Sequence, residues 1–276
     1  MSSTEKRLAG KVAVVAGATR HSGRGVAIEL AVEGATVYCT GRSVRGNPSI
    51  INKPETIEET AEMVDAFGGK GLWAQVDHTD IGEVEALFNR VVSEQGRVDI
   101  VVNSICGNVY QWGNPFWLND LPTTLASIHH GARAHIITAQ IAARHMVGAK
   151  SGLIVSISDA DANDSVAYAC ERSLINRIFP TISEGLRSHN VAALSLLPGG
   201  FFACFDITTE EQLRLAIERE PTIVDCHTPR LIGRAVVALA TDPNILEKSG
   251  KVLAIQNLVN EYGFTDIDGR TSGKMW

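Results

Sequence analysis

Tyr168 and Arg172 stand four residues apart in SISDADANDSVAYACERSLINR, residues 156–177, behind an acidic stretch carrying Asp159, Asp161 and Asp164. A phenol can pass a proton, but its reference pKa near 10 is too high for ready loss at neutral pH. A cation about 4 Å away, at an effective dielectric of ~20, contributes roughly 4 kcal/mol, which lowers that pKa by about two to three. Positions i and i+4 share one helix face, so the phenol of Tyr168 and the guanidinium of Arg172 can serve a single site. Arginine supplies the charge as lysine would, although its planar fork wants two acceptors. A carboxyl buried beside like charges has its pKa raised. Asp159 in protonated form could then donate to a substrate oxygen or nitrogen; ionised, it would repel a developing alkoxide. The reading is acid/base chemistry at Tyr168, with Arg172 as charge partner and Asp159 as a second proton donor. A solvated DADAND loop that only caps the following helix is the plainer alternative.

Such groups need a frame. Short, β-branched runs alternate with helical patterns along the whole chain. The strand candidates are 11–17, 35–41, 70–76, 98–103, 152–158, 191–197 and 251–256. They are too apolar to alternate cleanly, as strands covered on both faces are. Between them lie helix candidates at 24–33, 55–67, 81–95, 123–147, 168–188 and 229–241, the last with Thr228 as N-cap and Pro229 at the first helical position. A short helix at 209–219 is also expected. This alternation predicts a single α/β domain over 1–276, a Rossmann-like, doubly wound parallel sheet of about seven strands flanked by helices. Long connections at strand ends of such sheets hold ligands, which points to about 104–122 and 199–227 as substrate loops. Tyr110, Trp112, Phe116 and Trp117 in the first could line an apolar pocket or merely pack the loop.

The first strand runs into GATRHSGRGVAIEL, where Gly17, Gly23 and Gly25 occupy a strand-to-helix turn. A turn without side chains lets the backbone approach a pyrophosphate, and the amides and dipole of the following helix hold its charge. Position after the first strand and before a helix is the context that a dinucleotide site requires.

Composition narrows the partners. A net charge of −6 with 20% charged residues argues against a nucleic-acid groove or a polybasic membrane patch. The polar start MSSTEKRLAGK carries no secretion signal, and no apolar run approaches the ~18 residues of a membrane span. Five scattered cysteines without a CxxC pair read as reduced thiols, so the cytoplasm is the expected compartment. His129, His130 and His135 do not have metal-ligand spacing, and no metal is expected.

Taken together, the glycine turn, Tyr-x3-Arg and the run SLINR resemble the short-chain dehydrogenase/reductase family over nearly the whole chain. The resemblance implies a homodimer or homotetramer and a small-molecule substrate. It also implies cofactor contacts at Asp77 in QVDHTD, Asn103 in VVNS and Pro198-Gly199. The family's glycine motif is usually two residues shorter, so the turn here should bulge, with His21 in the insert. An acid at the end of the second strand marks NAD-preferring members; Gly41 stands there, followed by Arg42, with Arg20 in the glycine turn. Two guanidiniums and no carboxylate favour a 2′-phosphate, hence NADP(H) over NAD(H). Of the family's Asn, Ser, Tyr and Lys, only the tyrosine survives: Arg172 replaces lysine, Asp159 stands at the serine position and Gly131 at the asparagine. Pteridine reductases of the family resemble this chain in carrying aspartate at the serine position. The implied activity is NADPH-dependent reduction of a small carbonyl or imine. A lyase or isomerase without net redox, and an inactive nucleotide-binding sensor, remain open.

Overall fold

A computed structural model of the chain describes residues 6–48, 53–107, 110–159, 165–199 and 206–271. Asp161, Asp164 and the phenylalanines at 201, 202 and 205, all drawn on above or in the same loops, lie outside the described residues. The strands are β1 (Val12–Ala16), β2 (Thr36–Gly41), β3 (Lys70–Gln75), β4 (Ile100–Asn103), β5 (Gly152–Ile157), β6 (Val191–Leu197) and β7 (Val252–Ala254). They form one parallel sheet in the order β3-β2-β1-β4-β5-β6-β7. Among the described residues the α-helices are α1 (His21–Val32), α2 (Ile57–Ala66), α3 (Ile81–Gln95), α4 (Leu121–Ala149), α5 (Val166–Arg187), α6 (Glu210–Arg219), α7 (Pro229–Ala240) and α8 (Ile255–Tyr262).

The sheet is buried on both sides because alternate residues of its central strands feed two separate cores. Ala13 and Val15 of β1 pack with α1, α2, α7 and α8 on one face. Val12 and Val14 pack with α3, α4 and α5 on the other, around Phe88, Met146 and Phe179. Fully burying one such side chain contributes about 1.5–3 kcal/mol. Strand order reverses between β1 and β4, which pair with Ala16 opposite Asn103. A crevice at the carboxyl ends of such strands is where open α/β sheets bind ligands.

Sequence and structure part at the margins. The edge strand β3 does alternate, and Trp73 on it is largely exposed, because only β2 flanks it. The last strand ends at Ala254 rather than 256, where α8 begins and buries Ile255, Leu258 and Val259. The polar segment after α8 is tied to its own chain. Buried Asp266 accepts hydrogen bonds from the Thr228 backbone N–H at 2.8 Å and hydroxyl at 2.6 Å, at the start of α7.

Candidate active site

At the cofactor end, the glycines answer to backbone. Gly17 has φ +81°, and a Cβ there would lie 2.3 Å from the Ser104 carbonyl oxygen. A Cβ on Gly23 would lie 2.2 Å from the Gly17 carbonyl oxygen. Gly25 serves helix packing: its Cβ would lie 2.1 Å from the Pro229 carbonyl oxygen on α7. The Gly17 and Ala18 amides donate to the Thr40 carbonyl at 2.9 and 3.0 Å, tying the turn to β2. The two extra residues of the motif are taken up at the start of α1, which begins at His21 rather than 24, with His21 at φ +50°.

An acid already stands at that helix end. The His21 amide donates to Asp206 Oδ1 at 3.1 Å, and the buried Arg24 guanidinium pairs with the same carboxylate. Arg24 also pairs with Glu59 at 2.6 Å and donates to Thr60 Oγ1 at 3.0 Å. Burial, reinforced by Arg20, pushes the His21 imidazole down to about 4, so it is neutral at pH 7. Arg20 Nε meets Glu55 at 3.3 Å, while its buried Nη2 has no hydrogen-bond partner. His21 Nδ1 is likewise buried and unpartnered. At the end of β2, a Cβ on Gly41 would come within 3.0 Å of Thr19 Oγ1 and 3.3 Å of Ile57, so a bulkier residue is crowded there. Arg42 and Asp77, assigned to different parts of a nucleotide, face each other at 3.9 Å, both about one-third exposed. Asn103 is fully buried and donates to the His135 carbonyl at 3.5 Å, leaving Oδ1 without a partner. Pro198 and Gly199 follow β6, with Gly199 at φ +74°. A turn closed by Gly17 and Gly23, with orphaned polar atoms on Arg20 and His21, fits an anionic dinucleotide.

At the reacting end, the first turns of α5 bring Tyr168 and Arg172 together, as their spacing requires. The Tyr168 hydroxyl donates to Asp159 Oδ2 at 3.2 Å. The Arg172 guanidinium lies over the Tyr168 ring, 4.9 Å from its centroid, and donates to the carbonyls of Ile157 and Ile105 at 3.3 Å each. Its other partner is Glu171, whose carboxylate is wholly buried. Glu171 Oε2 also accepts from the Tyr110 hydroxyl at 2.7 Å and the Gly107 amide at 3.1 Å. Two phenol–carboxylate pairs therefore flank one guanidinium. Tyr110, Trp112 and Tyr168 contact one another edge-on or tilted, with centroids 5.0–5.7 Å apart. Phe116 and Trp117 are 68% and 77% exposed, and of the four loop aromatics Tyr110 and Trp112 are the two that pack against Tyr168.

The phenol of Tyr168 is not lowered. Burial pushes its pKa up, and the opposing influence of Arg172 is outweighed with Cys106 and Asp159 acting in the same direction as burial. Arg172 does act in the expected direction; the expectation of a net fall left out burial, the largest influence. Burial likewise pushes Glu171 up, against the pull of Arg172. Sequence reasoning passed over Glu171 because it weighed i+4 from Tyr168 and not i+3, which lies on the same face. Gly131 was the second signal. A Cβ on it would lie 2.0 Å from Glu171 Cδ, so the asparagine position on α4 is empty because a glutamate from α5 fills it.

Two buried histidines brace these ends. His135 Nε2 donates to the Ile105 carbonyl at 2.9 Å, so Nδ1 accepts from the Ser156 hydroxyl at 2.6 Å. His78 Nε2 meets Thr40 Oγ1 at 2.8 Å and its Nδ1 meets Thr138 Oγ1 at 2.9 Å.

A family model described as short chain dehydrogenase matches residues 11–214. The chain belongs to the short-chain dehydrogenase/reductase family. Dehydrogenase/reductase SDR family member 1 of Mus musculus is 36% identical, over 95% of this chain and 84% of the relative. The Homo sapiens protein of the same name is 34% identical over the same shares. The 7alpha-hydroxysteroid dehydrogenase of Clostridium sardiniense is 27% identical over 75% of this chain and 77% of its own. Among solved structures, a metagenomic short-chain oxidoreductase in complex with NADP superposes with a TM-score of 0.69 at 24% identity, over 90% of this chain and 97% of that one. As a member of this oxidoreductase family the chain shares its seven-stranded parallel sheet. Among the described residues, no helix is long and apolar enough to cross a membrane.

Proposed function

We propose that this protein is an NADPH-dependent reductase that delivers a hydride to a small carbonyl or imine, with Tyr168 as proton donor. The observation that carries the reading is the Tyr168 hydroxyl held 3.2 Å from Asp159 and backed by Arg172. When bound, the nicotinamide supplies the hydride. Gly17 and Gly23 let the turn close tightly ahead of α1, whose amino end would face the pyrophosphate, and Arg20 and Arg42, with no acid at Gly41, suit a 2′-phosphate. The NADP complex of the metagenomic relative supports the same cofactor class.

Tyr168 gives its proton to the substrate oxygen or nitrogen as the hydride arrives, and Asp159, hydrogen-bonded to the same hydroxyl, relays a replacement proton from solvent to the phenolate. A phenol raised by burial keeps its proton until a stronger base forms beside it, which suits the reductive direction. Tyr110 and Trp112 pack against the Tyr168 ring and limit water there. Exposed apolar residues on α4 and α5, Ile136 and Leu174, support a homodimer or homotetramer, which sedimentation would test.

Mixing the protein with NADPH and a panel of ketones, aldehydes and cyclic imines should bleach the nicotinamide band with at least one of them. Unchanged absorbance across the panel overturns the reading. A second reading, a lyase or isomerase without net redox, or a nucleotide sensor, is favoured by the engagement of Arg172 with Glu171. Product formed with no cofactor consumed would establish the former, and a function that survives Tyr168→Phe the latter.

A further inference from the structure

The proton-donor reading leaves one pair of residues unused. Glu171 is wholly buried on α5, and Gly131 faces it from α4. Each makes sense only with the other: any side chain at 131 would collide with the Glu171 carboxyl carbon, 2.0 Å from the position of a Cβ. A carboxylate removed from water in this way needs a charged partner and hydrogen bonds, or it costs several kcal/mol. It has both, in Arg172, the Tyr110 hydroxyl and the Gly107 amide.

The consequence falls on Arg172. A guanidinium offers its donors in one rigid plane, so satisfying some acceptors fixes where the others point. Here that plane is committed to Glu171 and to the Ile105 and Ile157 carbonyls, and the fork meets the face of the Tyr168 ring instead of its oxygen. We propose that Glu171 is a positioning residue of the reaction centre: lodged in the space that Gly131 leaves, its carboxylate draws the Arg172 guanidinium over the Tyr168 ring, away from the hydroxyl, and so governs how readily that hydroxyl gives up its proton. The inference rests on Tyr168 as the acid/base group, but its geometry and its test do not require turnover.

Among the described residues, the groups facing the Tyr168 phenol are Arg172 from its own helix, Asp159 after β5, and Cys106 and Tyr110 after β4. His135 on α4 faces Arg172 from below and is neutral. Glu171 is the carboxylate paired with the guanidinium, so removing its charge leaves Arg172 as an uncompensated cation beside two phenols. Burial and the surrounding acids now hold the Tyr168 phenol high. Arg172 opposes them, and the Glu171 carboxylate is the charge that directs its guanidinium.

The test is a spectrophotometric pH titration of tyrosinate, tractable because the chain has four tyrosines. Glu171→Gln keeps the side chain's shape and removes its charge. One tyrosine should then ionise at a pH lower by about one unit or more, a tenfold change in proton affinity. Adding Tyr168→Phe should abolish the moved transition. Identical curves for wild type and Glu171→Gln overturn the proposal, and so does a moved transition that survives Tyr168→Phe, which would assign it to Tyr110. If Glu171→Gln does not fold, the double variant Gly131→Ala/Glu171→Gly removes the carboxylate and refills its space, and the same two outcomes decide. If the transition moves as expected but no carbonyl or imine is ever reduced, the reductase reading fails and the role of Glu171 stands.

Discussion

The two ends of the crevice are built on different logic. At the amino end of α1, each unusual residue answers a backbone atom: Gly17 the Ser104 carbonyl, Gly23 the Gly17 carbonyl, Gly25 the Pro229 carbonyl. At the reacting end, each unusual residue answers another unusual side chain: Gly131 answers Glu171, Glu171 answers Arg172, and Arg172 covers Tyr168, which bonds Asp159. A backbone atom cannot be exchanged, so a side chain at any of these three glycines must push the backbone apart. Side chains can be replaced in compensating sets, so the second end can depart far from its family while keeping its buried charges paired. Departure from a motif therefore means different things in the two places.

Tyr168→Phe should break the reacting end most severely, lowering turnover by about 10²–10⁴-fold with little change in NADPH affinity, as stopped-flow reduction would show. A comparable loss of NADPH affinity would mean the two ends are not independent.

Acid should attack both ends through their histidines, His78 beneath the glycine turn and His135 beneath Arg172. Burial pushes His78 down to about 4 from 6.5, and burial with the nearby Arg172 pushes His135 down to about 3. The unfolded chain therefore takes up these protons first as pH falls. Stability from the neutral rings is complete above 6.5 and is lost as pH drops toward the folded values. Each ring should contribute about 3 kcal/mol to that loss. Urea unfolding at pH 7 and pH 4.5 would measure it, and His135→Asn should flatten the dependence if the ring is truly held neutral.

Gly25→Ala should cost about 1–3 kcal/mol, because α1 and α7 must move apart to admit the methyl group. Calorimetry reads this directly, and an unchanged transition would contradict the backbone logic of that end. The smallest effect concerns Asp206, which shares the amino end of α1 with any bound phosphate. Asp206→Asn removes a competing charge, worth about 0.3–1 kcal/mol at a helix terminus, so NADPH should bind about two- to fivefold more tightly by fluorescence titration. Unaltered affinity would show that the carboxylate and the cofactor do not compete.

All seven strands were legible because a sheet covered on both faces demands continuous apolar runs, and helix ends such as Thr228-Pro229 carry their own caps. The start of α1 was misplaced by three residues because His21 takes a left-handed conformation that its residue type does not advertise. Tyr168 and Arg172 were found because four residues on one helix is a local distance. Asp206 at the helix end and Tyr110 against Glu171 were not, since they join segments separated by 185 and 61 positions.

Periodicity and spacing along the chain thus determined the architecture, the glycine turn and the Tyr-x3-Arg pair, all of which depend on neighbours within a few residues. Only the tertiary structure decided how Arg172 is used. Its direction depends on whether a carboxylate from α5 fits against a glycine on α4, and no pattern within either helix contains that steric fact.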